Sequence, residues 1–123
     1  MKIKVNKLDA IFSQLVRTRD NWTCQVCGKY FPEGERRSLH CSHFHGRRKQ
    51  SVRYEPLNAA AHCFACHKYL SENPLEFADW ILSHLGPAGV ALLTVMANKP
   101  VKRSKKDKED LYLDLKAQLG RLT

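Results

Sequence analysis

The sequence has few acidic residues. Its 123 residues include 12 aspartates and glutamates against 21 lysines and arginines, so the formal net charge is +9 when the histidines are neutral. A surplus of that size favours a polyanionic partner, and nucleic acid before a membrane, because neutralised phosphates release condensed counterions. The alternative is a basic surface that serves only solubility.

The sequence also lacks long apolar runs. No stretch approaches the roughly 18 apolar residues of a membrane span, and "MKIKVNKLDAIF" has no long apolar segment behind its lysines, as a signal peptide would. We therefore expect a cytoplasmic protein without a membrane partner. Thiols stay reduced in that compartment and disulfides are rare, so the five cysteines indicate metal binding more than cross-links.

No internal repeat is evident, and the length predicts a single domain over residues 1–123. Helical spacing of apolar residues predicts a helix over 6–19, a helical cap over 73–97, and a C-terminal helix behind a basic segment within 99–123. The intervening core, 20–70, has few apolar residues. The periodic positions are Leu8, Ile11, Phe12, Leu15 and Val16, then Phe77, Ala78, Ile81, Leu82 and Leu85, and finally Leu111, Leu115 and Leu119.

Local signals refine the central and following segments. "SLHCSHF" predicts a short strand, and "VRYEPLN" returns the chain toward it. The alanines and length of "AAAHCFACHKYL" predict a short helix that opens around the second CxxC pair. Asn73 is expected to cap the next helix with Glu76 in a capping box, and Gly86 to end it. Ser104 is expected to cap the last helix.

Four of the cysteines form two CxxC pairs, Cys24 with Cys27 and Cys63 with Cys66, separated by 35 residues. A two-residue spacer lets both sulfurs of a pair turn toward one ion, and four thiolates are a standard ligand set for structural zinc. The metal would supply folding energy that the apolar-poor segment around it cannot. The alternatives are accidental spacing and a redox dithiol, for which the second pair is needless. Cys41 is left over as a buried or spare thiol.

Three polar residues stand between and after the cysteine pairs. His43 and Asn58 lie between them, with Asn58 five residues before the second pair, and His67 directly follows that pair. This order resembles the HNH motif of ββα-metal endonucleases, and the match is closest to the phage NinG (Rap) recombination nucleases. The stretches that carry it are "LVRTRDNWTCQVCGK" and "CSHF…SVRYEPLNAAAHCFACHKYLSENPLEFADWI".

The resemblance implies an α+β fold, in which a small zinc-stapled ββα-metal core of the HNH, treble-clef-like kind is flanked by N- and C-terminal helices. It implies that His43 is the general base, a role suited to a neutral imidazole near pH 7. His67 would ligate a catalytic divalent ion, Mg²⁺ or Mn²⁺, and Asn58 would orient the histidine strand. Many HNH enzymes carry an aspartate or histidine directly before the base, where this chain has Ser42, so His40 is the candidate second ligand.

The remaining three histidines are not expected to take part in catalysis or to bind the catalytic ion. His45 is expected to contact substrate or to do nothing, His62 to pack near the zinc, and His84 to lie on the surface. A basic loop follows the predicted strand, and its cations are expected to grip phosphates without reading sequence: Arg47, Arg48, Lys49 and Arg53. The run over 99–108, with six basic residues and one acidic residue, is either a second DNA-contacting arm or a flexible linker.

Together these features predict a metal-dependent HNH endonuclease that hydrolyses DNA phosphodiester bonds. The resemblance implies a phage or prophage recombination nuclease acting on branched DNA, with DNA as partner and a homodimer as one possible state. One alternative is a zinc-stapled module that binds DNA without cutting it. Another is an adaptor that uses "DLYLDLKAQL" as an interface, although its leucines are more simply explained by packing on the domain's own core.

Overall fold

The computed structural model describes residues 6–123 and shows an α+β arrangement with, within that range, four α-helices and one two-stranded antiparallel sheet. In chain order the elements are α1 (Lys7–Arg19), β1 (Leu39–His43), a 3-10 turn (Pro56–Asn58), β2 (Ala59–Cys63), α2 (Phe64–Glu72), α3 (Pro74–Ala97) and α4 (Lys105–Leu122). A strand–strand–helix order thus runs through β1, β2 and α2, with the first cysteine pair in the loop ahead of β1.

The helix predicted to open around the second cysteine pair begins at Phe64, within that pair, but the alanines counted toward it form a strand. Ala59 to Ala61 pair with β1 in the register His43↔Ala59 and Leu39↔Cys63, and all three alanines are at most 1% exposed. Small side chains let the sheet approach its covering elements closely, so tertiary packing overrides the helical propensity of alanine. The helix begins only at Phe64.

The main core lies between α1 and α4. Both helices begin with a capping box, Asn6 with Asp9 and Ser104 with Asp107, which satisfies two backbone N–H groups at each helix start. Leu115 is 1% exposed and packs against the buried face of α1. The packed residues are Leu8, Phe12, Leu15, Val16, Tyr54 and Ala59, with Leu111 and Leu119 beside them. Leu111, Leu115 and Leu119 of α4 therefore cover the domain's own core.

Helix α3 is interrupted at Gly86, whose φ of 75° and ψ of 164° are not helical, and Pro87 starts the second half. The predicted break is therefore present, and Asn73 is the N-cap residue as predicted. The predicted capping box is absent, because the Asn73 side chain donates to the Tyr69 carbonyl instead. The prediction that the apolar stripe of α3 is buried is also wrong. Its members are half-buried or exposed, whereas the buried residues of α3 are Leu93 and Ala97.

Within residues 6–123, one helix is long and apolar enough to cross a membrane by length and composition, contrary to the expectation that no stretch approaches that limit. It is Pro74–Ala97, and 11% of its most apolar window is buried. The break at Gly86 divides it into two short halves, and a span needs about 20 continuous helical residues. A single such helix is weak evidence for a membrane segment.

The outer edge of β2 is occupied by side chains from the end of α1. The Arg19 guanidinium donates to the carbonyls of Pro56 and Ala59, each at 2.7 Å. The Asp20 carboxylate accepts from the Ala61 N–H at 2.8 Å, and the Ala61 carbonyl accepts from the Gln25 N–H at 2.9 Å. These groups fix the sheet against α1 and against the first cysteine pair.

Candidate active site

The four cysteines of the CxxC pairs come together, as their spacing predicts. Their sulfurs all lie within 4.8 Å of one another, and the Sγ atoms of Cys27 and Cys63 are 3.8 Å apart. A tetrahedral zinc with Zn–S bonds of about 2.3 Å separates its ligand sulfurs by about 3.8 Å. The arrangement therefore fits a structural zinc ion held by Cys24, Cys27, Cys63 and Cys66.

A tight turn shapes the first half of this metal centre. Gly28 has a positive φ of 79° and donates to the Cys24 carbonyl, and the Cys24 N–H bonds to the Lys29 carbonyl. Burial opposes ionisation of Cys24, but backbone hydrogen bonds from Cys27, Cys63 and Val26 outweigh it and lower the pKa of Cys24 to about 7. At Cys24 these bonds thus favour the thiolate, which is the form that binds metal.

A cleft of about 330 Å³ lies beside the sheet, and it brings together three of the predicted histidines. His40 and His43 come from β1 and His67 from α2. Three arginines also line the cleft, contributed by α1 and by two loops: Arg17, Arg36 and Arg47. No aspartate or glutamate is among the described residues that line it. The cleft is therefore rich in imidazole and positive charge.

His43 stands at the end of β1 with one ring nitrogen held by the backbone. Its Nε2 lies 2.9 Å from the Arg53 carbonyl oxygen. A carbonyl can only accept, so Nε2 carries the proton and Nδ1 is the basic nitrogen. Burial lowers the pKa of His43 below its ordinary value, although the Arg53 hydrogen bond opposes this, and nearby Arg47 acts in the same direction as burial. His43 is therefore neutral at pH 7.

Asn58 is fully buried and ties the loop after β1 to the start of β2. Its side chain accepts from the His45 N–H at 2.8 Å and donates to the carbonyls of His45 and Val52 at 2.9 and 3.1 Å. Its own carbonyl accepts from the Phe44 N–H at 2.8 Å. Asn58 therefore contacts backbone on both sides of the loop directly behind His43.

His67 and His40 stack, with ring centroids 5.2 Å apart. His67 Nδ1 lies 3.2 Å from the hydroxyl of buried Ser42, and His40 Nε2 lies 3.0 Å from the Arg37 carbonyl. Burial, and then the neighbouring His40, lower the pKa of His67.

The histidines do not form a ready-made ion site. Among residues 6–123, the cysteine set is the only group of three or more His, Cys, Asp or Glu side chains whose donor atoms are close enough to hold an ion. Magnesium prefers oxygen ligands in near-octahedral geometry, and the described lining of the cleft offers imidazoles but no carboxylate. The described residues therefore do not fit a protein-held catalytic Mg²⁺.

The other histidines lie behind the cleft. His62 is fully buried on β2, and neither of its ring nitrogens has a hydrogen-bond partner among the described residues. Burial, with His67 and His84 nearby, lowers its pKa to about 4, so it packs as a neutral ring edge-on to Trp80 at 4.7 Å. His84 is exposed and stacks on Trp80 at 4.6 Å. His45 is half-buried and does not line the cleft.

The predicted phosphate contacts separate into two kinds. Arg47 lines the cleft and is half-buried, whereas Arg48 and Lys49 are exposed on the same loop. Arg53 is 7% exposed and makes a bidentate ion pair with Asp9. The distances are 2.9 Å from Nε to Oδ1 and 2.6 Å from Nη2 to Oδ2. Because that guanidinium is buried in the core, we do not retain Arg53 among the phosphate contacts.

Sequence reasoning missed two cleft arginines. Arg17 lies on α1 and donates to the Leu39 carbonyl at 2.8 Å, and Arg36 lies in the loop between the cysteine turn and β1. The basic pair in "GERR" was a signal for the second of these, but nothing local relates it to the histidines. Cys41, the spare cysteine, also lines the cleft, and burial raises the pKa of its thiol to about 11.

Comparisons with known proteins give no family for this chain: no protein-family model, no curated protein and no solved structure matches it.

Proposed function

We propose that this protein is an HNH-type endonuclease that hydrolyses DNA phosphodiester bonds. The observation that carries the proposal is the cleft that combines His43, with its Nδ1 free to accept a proton, with Arg17, Arg36 and Arg47. A phosphodiester needs a base for the attacking water and positive charge for the phosphate oxygens. The strand–strand–helix order beside a four-cysteine centre supports an HNH, treble-clef-like core.

In the proposed reaction, His43 Nδ1 takes a proton from a water as its oxygen attacks phosphorus. The bond from phosphorus to one ester oxygen breaks, and that oxygen takes a proton from solvent. The Arg53 carbonyl holds the imidazole in the required tautomer, as orienting partners do in hydrolases. Asn58 acts as a positioning residue, because its four hydrogen bonds fix the loop behind His43.

Metal dependence is part of the proposal. The motif resemblance implies a divalent ion, Mg²⁺ or Mn²⁺, that would stabilise negative charge on the scissile phosphate. Because the described lining does not hold Mg²⁺ by itself, water and phosphate oxygens would have to complete the shell. His67 and His40 are the side chains nearest to such a role, and their nitrogens suit manganese better than magnesium. We infer a phage or prophage recombination nuclease that acts on branched DNA in the cytoplasm, from the resemblance of the motif alone.

The test is cleavage of supercoiled plasmid and of a labelled four-way junction by zinc-loaded protein, with Mg²⁺ or Mn²⁺ added or omitted. We expect divalent-dependent cutting by the wild type and none by His43→Ala, which should still bind DNA. The matched control is His84→Ala, an exposed histidine outside the cleft. Cutting that persists in His43→Ala, or is lost equally in His84→Ala, would sink the assignment of the base.

The second candidate is a zinc-stapled module that binds DNA without cutting it. Two observations favour it. The Ser42 hydroxyl is hydrogen-bonded to His67 Nδ1, and the described lining of the cleft has no carboxylate. Wild type that binds DNA but never cuts it with any divalent metal would establish this reading instead.

A further inference from the structure

A second, larger groove opens from the histidine cleft. It has a volume of about 770 Å³ and runs along the exposed face of α1, between the loop that contains Glu33 to Arg37 and Tyr112 of α4. Four residues border both spaces, which makes them continuous: Ser13, Arg17, Arg36 and Arg47. A polymer whose scissile phosphate sits in the cleft therefore has a path along α1.

The groove is basic. Five cations line it, the three cleft arginines together with Lys7 and Arg37, against the acids Asp9 and Glu33. Asp9 is already neutralised by its ion pair with Arg53. The remaining excess of positive charge suits a backbone of phosphates, whose binding it would strengthen at low salt.

Aromatic rings stand at two places along the groove, Trp22 beside the arginine loop and Tyr112 at the far end. Trp22 is 8% exposed, and its indole N–H has no acceptor among the described residues. Trp22 belongs to a buried cluster with Phe31 and Leu39, so it forms part of the groove wall rather than an open stacking face. Lys7 lies 4.0 Å above the Tyr112 ring, which brings a cation and an aromatic face together at the far end.

Shape decides which form of nucleic acid fits. The groove is concave and its volume lies in the range of about 300–1,000 Å³ of pockets that enclose small ligands. A duplex, whose major groove alone is about 12 Å wide, cannot enter such a space. Single strands bind in positively charged grooves that track the backbone and supply aromatic faces for bases.

We propose that the groove along α1 binds a single-stranded DNA segment adjoining the scissile phosphate. This inference deepens the proposed function and rests on it for the placement of the cut. It assigns the substrate class as DNA with an unpaired strand next to the cleavage point, such as a flap or an open branch.

Binding is measured with labelled oligo-dT and with a hairpin duplex of equal length, in zinc-loaded protein carrying His43→Ala. The test variant is Lys7→Glu with Arg37→Glu, two groove cations outside the cleft. The control is Lys116→Glu with Arg121→Glu, which changes the charge equally at exposed positions of α4 away from the groove.

We expect the test variant to lose about 25-fold in single-strand affinity near 0.1 M salt, and its salt slope to fall by about 1.4, because each single-strand phosphate contact contributes about 0.7. Duplex affinity should change no more than in the control. Equal losses in test and control, equal losses for both DNAs, or no loss would overturn the proposal. The groove assignment stands if the binding pattern holds while wild type never cuts, so its failure is distinct from failure of the nuclease assignment.

Discussion

The side-chain amide of Asn58 satisfies both backbone polar groups of His45: it accepts from the N–H at 2.8 Å and donates to the carbonyl at 2.9 Å. No other side chain of similar size offers both a donor and an acceptor in this geometry. Asn58→Asp keeps the acceptor and loses the donor, and it buries a charge. We expect this variant to lose about 3 kcal/mol of stability or more, measured by urea unfolding.

The control for that prediction is Asn73→Asp, a partly exposed asparagine whose side chain makes one hydrogen bond to the Tyr69 carbonyl. It should cost less than about 1 kcal/mol. Equal effects at the two positions would show that Asn58 does not organise the loop.

The ion pair between Asp9 and Arg53 is the buried electrostatic contact of the core, with side chains 5% and 8% exposed. Arg53→Met should cost about 3–5 kcal/mol because it leaves the Asp9 charge without its partner. The double variant Asp9→Leu, Arg53→Met should recover most of that loss, apart from about 1 kcal/mol for the lost capping box. Chemical unfolding of Arg53→Met, Asp9→Leu and the double variant measures this, and additive losses would contradict it.

The activity of the proposed nuclease should fall with acid. The pKa of His43 is lowered by burial and, in part, by Arg47, so the neutral base is present at pH 7 and is lost as pH falls through a value below the ordinary 6.5. We expect the acid limb of kcat/KM to have its midpoint below pH 6.5. Arg47→Gln should move that midpoint upward, and Arg48→Gln should leave it unchanged.

Arg47 and Arg48 also provide a matched pair for DNA binding, because Arg47 lines the cleft and Arg48 is exposed outside it. In a His43→Ala background, Arg47→Ala should reduce the salt slope of duplex binding by about 0.9, the value for one phosphate contact. Arg48→Ala should reduce it less. Identical salt slopes for the two variants would mean that Arg47 makes no specific phosphate contact and that both arginines contribute only to the general positive charge of the loop.

Removal of zinc should unfold the central segment. A structural Zn²⁺ site contributes apparent binding free energy on the order of 10–16 kcal/mol, and the sheet it supports has only two strands. Cys27→Ser should abolish stoichiometric zinc and the cooperative thermal transition, whereas Cys41→Ser, outside the cluster, should keep both. Zinc content and circular dichroism measure the outcome. A zinc-free protein that melts like the wild type would refute the metal centre.

Local patterns predicted the features that depend on local geometry. The CxxC spacing brought Cys24, Cys27, Cys63 and Cys66 together because two-residue spacers constrain where sulfurs point, and the helical period located α1 and α4. The alanines before Cys63 form a strand rather than the start of the predicted helix because they pair with β1 residues 16 to 20 positions away in the chain. Propensity alone does not contain that contact.

The cleft was less predictable than the residues in it. His43 and His67 are found by spacing, but Arg17 and Arg36 reach them only because α1 and the loop before β1 pack on the same side of the sheet. Arg53 shows the converse. It lies near other basic residues in the sequence, yet it is buried in an ion pair with Asp9, which is 44 positions away. A basic run in a sequence does not reveal which of its charges face solvent.

The side chains at the edge of β2 bear on how copies of this protein can meet. Arg19 and Asp20 occupy backbone groups of β2 that a neighbouring strand would otherwise bond. Exposed strand edges are where sheets of different molecules pair edge to edge. Since Ala59 and Ala61 are already bonded in this way, β2 offers no template for continuous pairing with a strand of a second molecule. The small sheet is therefore protected against fibrous growth along the β2 edge.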